Sequence, residues 1–135
     1  MHTVLYVEDD AANLMLVEDI VARLPDIRLL SARDGIHGIA LARSALPQVI
    51  LMDINLPDIN GFEAMKILKK DVATAHIPVI ALSSVPFPDN IKQGLAEGFF
   101  RYLAKPFKVS CFLEALNIAL QTKRENDWPG NPDVS

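Results

Sequence analysis

Apolar residues in this chain alternate between short unbroken runs and stretches spaced by three and four. Thr3–Val7, Ile27–Ser31, Val49–Met52, Val79–Leu82 and Phe99–Leu103 are short and rich in β-branched or aromatic residues, which predicts five strands. Val49–Met52 and Val79–Leu82 contain no polar residue, the pattern of strands buried on both faces. Between the runs the spacing becomes helical. Leu14, Val17, Ile20, Val21 and Leu24 predict a helix from Ala11 to Leu24, stopped by Pro25 and Asp26. Ile36, Ile39, Ala40 and Arg43 predict a second helix between Gly35 and Pro47, and Phe62, Met65 and Leu68 a third after Gly61. Asp89–Glu97 reads as a weaker helix with Ile91 and Leu95 inward, and Phe112, Leu113, Leu116, Ala119 and Leu120 as the last one.

Five strand–helix units joined by short connections predict an α/β domain. Parallel crossovers are right-handed and each needs a covering helix, so the expected architecture is a doubly wound, five-stranded parallel sheet with helices on both faces. The expected strand order is 2-1-3-4-5. Residues 1–122 form one domain in this reading, and 123–135, with Pro129, Gly130 and Pro132, a flexible tail or linker.

In an open parallel sheet, functional groups gather outside the carboxyl ends of the strands. Here the first strand ends in Glu8-Asp9-Asp10, the third in Asp53, the fourth in Ser83-Ser84 and the fifth in Lys105-Pro106. The acids after the first strand, read alone, would be a solvated turn capping the next helix, and Asp10 fits that part. The strand order, however, sets Glu8 and Asp9 beside Asp53. Three carboxylates in one crevice repel one another unless a cation joins them. Mg²⁺ suits such a site, because it is held by one or two carboxylates with phosphate oxygens and retained waters. Asp53 is then a candidate nucleophile toward phosphorus, giving an acyl phosphate. Lys105 is a candidate point charge for a phosphoryl oxygen, and the bond to Pro106 a candidate cis peptide that would turn the lysine back into the site. Ser83 offers a hydroxyl donor to the same group.

Composition narrows the alternatives. The chain is 50% hydrophobic and 22% charged, an ordinary globular mixture. Its net charge of −4 and scattered basic residues argue against a direct nucleic-acid footprint. No apolar run approaches the roughly 20 residues of a membrane span. The single Cys111 cannot form an internal disulfide, which suits a reducing, cytoplasmic setting, and is expected to pack as a small hydrophobe on the last helix. His2, His37 and His76 lack metal-ligand spacing.

The segments Val4–Asp10, Asp53–Gly61 and Tyr102–Pro106 together resemble the receiver domain of two-component response regulators, over about Thr3 to Leu120. Ile77–Leu82 and Gly98–Leu103 are similar to receivers joined to hybrid histidine kinases. The resemblance implies a CheY-like, flavodoxin-like fold in which Asp53 takes a phosphoryl group from a histidine kinase or histidine phosphotransfer protein. It implies Mg²⁺ ligation by Asp9, Asp53 and the backbone carbonyl of Asn55, with Glu8 acting through water. Ser83, with Ser84 beside it, and Tyr102 become the switch residues, altering the surface of the Asp89–Glu97 helix, the fifth strand and the last helix. That surface, including Ile91, Lys92 and Leu95, is also where receivers pair as homodimers. Such a domain is regulatory rather than an enzyme, limited to slow self-phosphorylation from small donors and self-dephosphorylation.

One departure is Ser84-Val85-Pro86-Phe87-Pro88, whose two prolines restrict Val85 and Phe87 toward extended geometry and make Phe87 a candidate partner contact. The alternative function is a pseudo-receiver that binds partners without phosphorylation, although Glu8, Asp9, Asp53 and Lys105 are all present. A haloacid-dehalogenase-like phosphatase would need an acid where Asn55 stands, and a flavin site would need a phosphate-binding loop in place of the acids after strand one.

Overall fold

A computed structural model of the chain describes residues 2–84, 92, 94–96 and 98–127. Its strands are β1 (His2–Val7), β2 (Ile27–Ala32), β3 (Val49–Asp53), β4 (Val79–Ser83) and β5 (Arg101–Ala104). All pairings are parallel, in the order β2-β1-β3-β4-β5, as expected from the alternation. The helices are α1 (Ala11–Ala22), α2 (Gly35–Ala45), α3 (Gly61–Lys70) and α4 (Val109–Asp127). Lys92 and Gly94–Ala96 are also helical.

Local chemistry starts the first three helices at defined residues. Asp10 accepts the N–H groups of Ala12 and Asn13, Asp34 that of His37, and Asn60 that of Glu63. Each side chain satisfies a donor that the first helical turn leaves without a partner. None of the described helices is long and apolar enough to cross a membrane.

Strand alternation sorts the core into two layers. Val4, Tyr6, Val49, Leu51, Ile80 and Leu82 pack on one face of the sheet with Val17, Ile20 and Val21 of α1 and Phe112, Ala115, Leu116 and Ala119 of α4. Leu5, Val7, Ile50, Met52, Val79 and Ala81 face the other way, against Ile39 and Ala42 of α2 and Ala64, Met65 and Leu68 of α3. Both β3 and β4 are buried at every residue, as their unbroken apolar runs require.

Several boundaries and burials differ from expectation. β5 begins at Arg101 rather than Phe99, because Gly98 turns the chain at φ +105° and the Phe99 N–H returns to the Gly94 carbonyl. Phe99 is thereby buried as a plug at the strand's entrance. Leu95 is half exposed rather than inward, and it is Gly94 that lies against the Tyr102 ring. Ile36 is exposed, while Gly35, Gly38, Ile39 and Ala42 form the buried stripe of α2. Cys111 is exposed, because the buried face of α4 runs through Phe112, Ala115 and Leu116. Helix α4 continues to Asp127, overlapping the start of the expected tail. Val85–Ile91, with the proposed contact residue Phe87, and Trp128–Ser135 lie outside the described residues.

Leu46 ends α2 in the left-handed region at φ 48°, ψ 61°. A side chain there meets the following carbonyl and costs about 1–2 kcal/mol per residue relative to glycine's freedom. Leu46→Gly is expected to raise stability by about 0.5–1 kcal/mol after the extra unfolded-state entropy of glycine is subtracted. Urea unfolding midpoints at an unchanged slope would measure it.

Candidate functional site

Register brings the predicted residues to one end of the sheet. Val7 pairs with Met52, so Glu8 and Asp53 follow side by side. Asp53 pairs with Leu82 and Ser83 with Ala104, which puts Lys105 one step beyond. The ladder is prolonged past the strands by Ile54 N–H to the Leu82 carbonyl (3.0 Å) and Lys105 N–H to the Ser83 carbonyl (2.7 Å). The Lys105–Pro106 peptide is cis.

Two of the acids are buried. Glu8 is 1% and Asp53 4% exposed, whereas Asp9 is open to solvent. One carboxylate oxygen from each of the three lies within 4.8 Å of the others. Lys105 Nζ is 2.5 Å from Glu8 Oε1 and 3.4 Å from Asp53 Oδ1, so the lysine is committed to Glu8 and only leans toward Asp53. The Tyr6 hydroxyl donates to the same Glu8 Oε1 at 2.8 Å. The Asn55 N–H donates to Asp53 Oδ1 at 3.2 Å.

These surroundings push the two buried carboxyls apart. Burial raises Asp53 first, the adjacent Glu8 carboxylate adds to it, and the Lys105 charge opposes both, leaving it at about 7. Burial also pulls Glu8 upward, but its contacts with Asp53, Lys105 and Tyr6 outweigh that and hold it below the usual carboxylate range. Glu8 Oε2 is buried with no hydrogen-bond partner among the described residues. A donor set made of carboxylate oxygens, one of them buried and unpartnered, fits a hard divalent cation.

The loops around the pocket are tied together. Asp58 accepts the N–H groups of Gly35 (2.8 Å) and Ile36 (2.9 Å), joining the loop after β3 to the start of α2. Desolvation works against its charge, yet those donors and the N–H groups of Ile59 and Asp58 itself hold it at about 2. Arg33 Nη2 donates to the Asp9 carbonyl at 3.1 Å, linking the loops after β1 and β2. Gly61 lets the chain return tightly over the strand end, since a Cβ there would meet Ile54 Cα at 2.8 Å and the Asp53 carbonyl at 2.9 Å.

Of the sequence-predicted residues, Glu8, Asp9, Asp53 and Lys105 come together around one pocket. Ser83 is buried at the end of the adjoining strand, with Ser84 exposed after it. Asn55 is exposed in the loop following Asp53. Tyr102 lies in the opposite core layer, edge-on to Phe99 at 6.5 Å between ring centroids. Phe99 in turn meets Phe62 of α3 edge-on at 5.8 Å. Sequence reasoning passed over Tyr6, Arg33 and Asp58. Tyr6 was detectable, because residues two apart on a strand share a face and Tyr6 stands two before Glu8.

Residues 4–117 match the response regulator receiver domain. The chain belongs to that family. The receiver is 36% identical over 117 residues to the polar-differentiation response regulator DivK of Brucella anthropi, covering 84% of this chain and 92% of that protein. It is similar in structure to the chemotaxis protein CheY4 of Vibrio cholerae (TM-score 0.81, 28% identity, 89% of this chain and 99% of that one). It is equally similar to the receiver domain of a sensor histidine kinase from Pseudomonas aeruginosa PAO1 (TM-score 0.81, 28% identity, 89% and 98% covered). That kinase's receiver holds a magnesium ion in its active site cleft. The chain is thus a regulatory domain of two-component signalling with a CheY-like fold, rather than an enzyme of the usual kind.

The raised Asp53 carboxyl gives a pH test for the metal-free receiver. Between the unfolded value of 3.8 and about 7, the folded state binds the extra proton, so this contribution to stability is lost as pH rises through that window. Glu8 acts in the opposite sense, losing its contribution as pH falls below its unfolded value of 4.5. Asp53→Asn removes the first effect. Without added metal it is expected to melt about 3–6 °C above wild type at pH 8, with the gap closing by pH 5, in calorimetric melts across pH.

Proposed function

We propose that this receiver is a phosphoacceptor: Asp53 takes a phosphoryl group from a phosphohistidine on a histidine kinase or histidine phosphotransfer protein, with Mg²⁺ as cofactor. The observation that carries this reading is the buried Asp53 carboxylate between the acids Glu8 and Asp9 and the Lys105 ammonium at 3.4 Å. An Asp53 oxygen attacks phosphorus, the new O–P bond replaces the N–P bond, and the electron pair leaves with the imidazole. Asp9, Asp53 and the Asn55 carbonyl would hold the cation, and Glu8 would reach it through water. Bound there, Mg²⁺ supplies charge neutralisation between the attacking oxygen and the phosphoryl oxygens.

Lys105 moves in this reading from Glu8 Oε1, at 2.5 Å, to a phosphoryl oxygen carried by Asp53, whose Oδ1 lies 3.4 Å from the ammonium. Ser83, with Ser84 next to it, donates a hydroxyl to another oxygen. Withdrawal of Ser83 toward the acyl phosphate frees Tyr102 to repack, a local change that biases a two-state surface. That surface, built by the helical residues around Gly94, β5 and α4, is the readout and a candidate homodimer face. Slow self-phosphorylation from small donors and self-dephosphorylation belong to the same reading. So does a receiver boundary near residue 122.

Intact-mass spectrometry after incubation with acetyl phosphate tests the proposal. Wild type with Mg²⁺ is expected to gain one phosphoryl adduct, absent in Asp53→Asn and absent when Mg²⁺ is chelated. Lys105→Ala should slow uptake by on the order of 10²-fold, as for loss of one charge-stabilising donor. Absence of the adduct from acetyl phosphate and from a phosphorylated histidine phosphotransfer protein would instead establish a pseudo-receiver.

A further inference from the structure

Tyr6 is the buried titratable group to which the phosphoacceptor reading gives no task. It lies in β1, fully enclosed in the apolar layer that contains Val4, Leu51 and Phe112. A phenylalanine would fill the same space, and a buried hydroxyl costs free energy unless it finds a partner. The partner here is Glu8 Oε1, at 2.8 Å. Lys105 Nζ takes the same oxygen at 2.5 Å, while Oε2 has no donor among the described residues. Two donors on one oxygen and none on the other fix the rotation of the carboxylate and give its two oxygens different tasks.

We propose that Tyr6 is a positioning residue for the cation site: its hydroxyl holds Glu8 so that Oε1 is kept for Lys105 and Oε2 is presented to the divalent ion or its water. The hydroxyl is enclosed in the core and its hydrogen bond runs to Glu8, so it serves as a donor there. The longer reach of glutamate compared with aspartate lets one side chain meet a strand hydroxyl behind it and the acidic pocket in front. Removing a partner that orients a metal-binding carboxylate in this way typically costs roughly 10–100-fold in metal affinity. The inference rests on the reading of Glu8, Asp9 and Asp53 as a cation site.

Isothermal titration calorimetry with MgCl₂ alone, on wild type, Tyr6→Phe, Glu8→Ala and the double variant, tests it. Tyr6→Phe is expected to weaken Mg²⁺ binding roughly tenfold, the low end for removing such a partner. On the Glu8→Ala background the same change should have no further effect, because the group it positions is gone. Glu8→Met, of similar length and without an oxygen for Tyr6 to hold, serves as the second background if Glu8→Ala does not fold. Unchanged affinity in Tyr6→Phe, or an equal loss on both backgrounds, would reduce Tyr6 to packing and overturn the inference while leaving the cation site intact. A wild type that binds no Mg²⁺ would remove the cation site itself, and the inference with it.

Discussion

The arrangement of this receiver follows from one electrostatic constraint: two carboxylates, Glu8 and Asp53, are buried side by side where adjacent parallel strands end. Like charges at that separation in a low dielectric are costly, and Lys105 supplies a single positive charge for both. The lysine sits closer to Glu8, so Glu8 stays ionised and Asp53 is left as the carboxyl that holds a proton near neutrality. In the phosphoacceptor reading proposed above, an acid so short of positive charge would take up a divalent ion and a phosphoryl group that draws the lysine across. The resting imbalance is therefore a chemical feature of the site, created by giving Glu8 the better partners.

The sheet makes that imbalance possible. Burial of β3 on both faces removes solvent from the Asp53 strand end, and the parallel register places Lys105 two strands away without a long excursion of the chain. The loop after β3 is then held by bonds of its own: Asp58 to the start of α2, Asn55 to Asp53, and Gly61 against the strand end. A carboxylate at a strand end braced by such a loop would lose little freedom on binding a cation, the condition under which hard ligands act as a preformed set.

Much of this was legible in the residues. Unbroken apolar runs at Val49–Met52 and Val79–Leu82 required central strands, and the polar residues closing the runs marked the end of the sheet where Glu8, Asp9, Asp53 and Lys105 gather. What the pattern could not carry were contacts between segments distant in sequence. Hydrophobicity treats Tyr6 as another core residue and says nothing of its hydroxyl. Asp58 looks like a turn residue until α2 is known to start beside it. Leu95 and Cys111 illustrate a related limit, since helical spacing identifies an apolar face only where a partner surface exists, and Gly94 and Phe112 take the inward places there. Phe99 was assigned to a strand on its β propensity, but the turn at Gly98 outweighs propensity and converts it to a plug.

The aromatic contacts give the two core layers unequal roles. Tyr6, Glu8 and Lys105 form a polar chain that enters the pocket from the α1–α4 side. Phe62, Phe99 and Tyr102 form an edge-to-face series in the α2–α3 layer, reaching from the start of α3 to β5. The first chain changes its bonds only if Lys105 changes partner, and the second repacks only if Tyr102 moves. Chemistry at Asp53 adjoins both, through Lys105 directly and through the loop that leads into α3. A charge rearrangement on one side of the sheet is in this way set beside a packing choice on the other, and β5, which carries Tyr102 and leads into Lys105, is the strand they share.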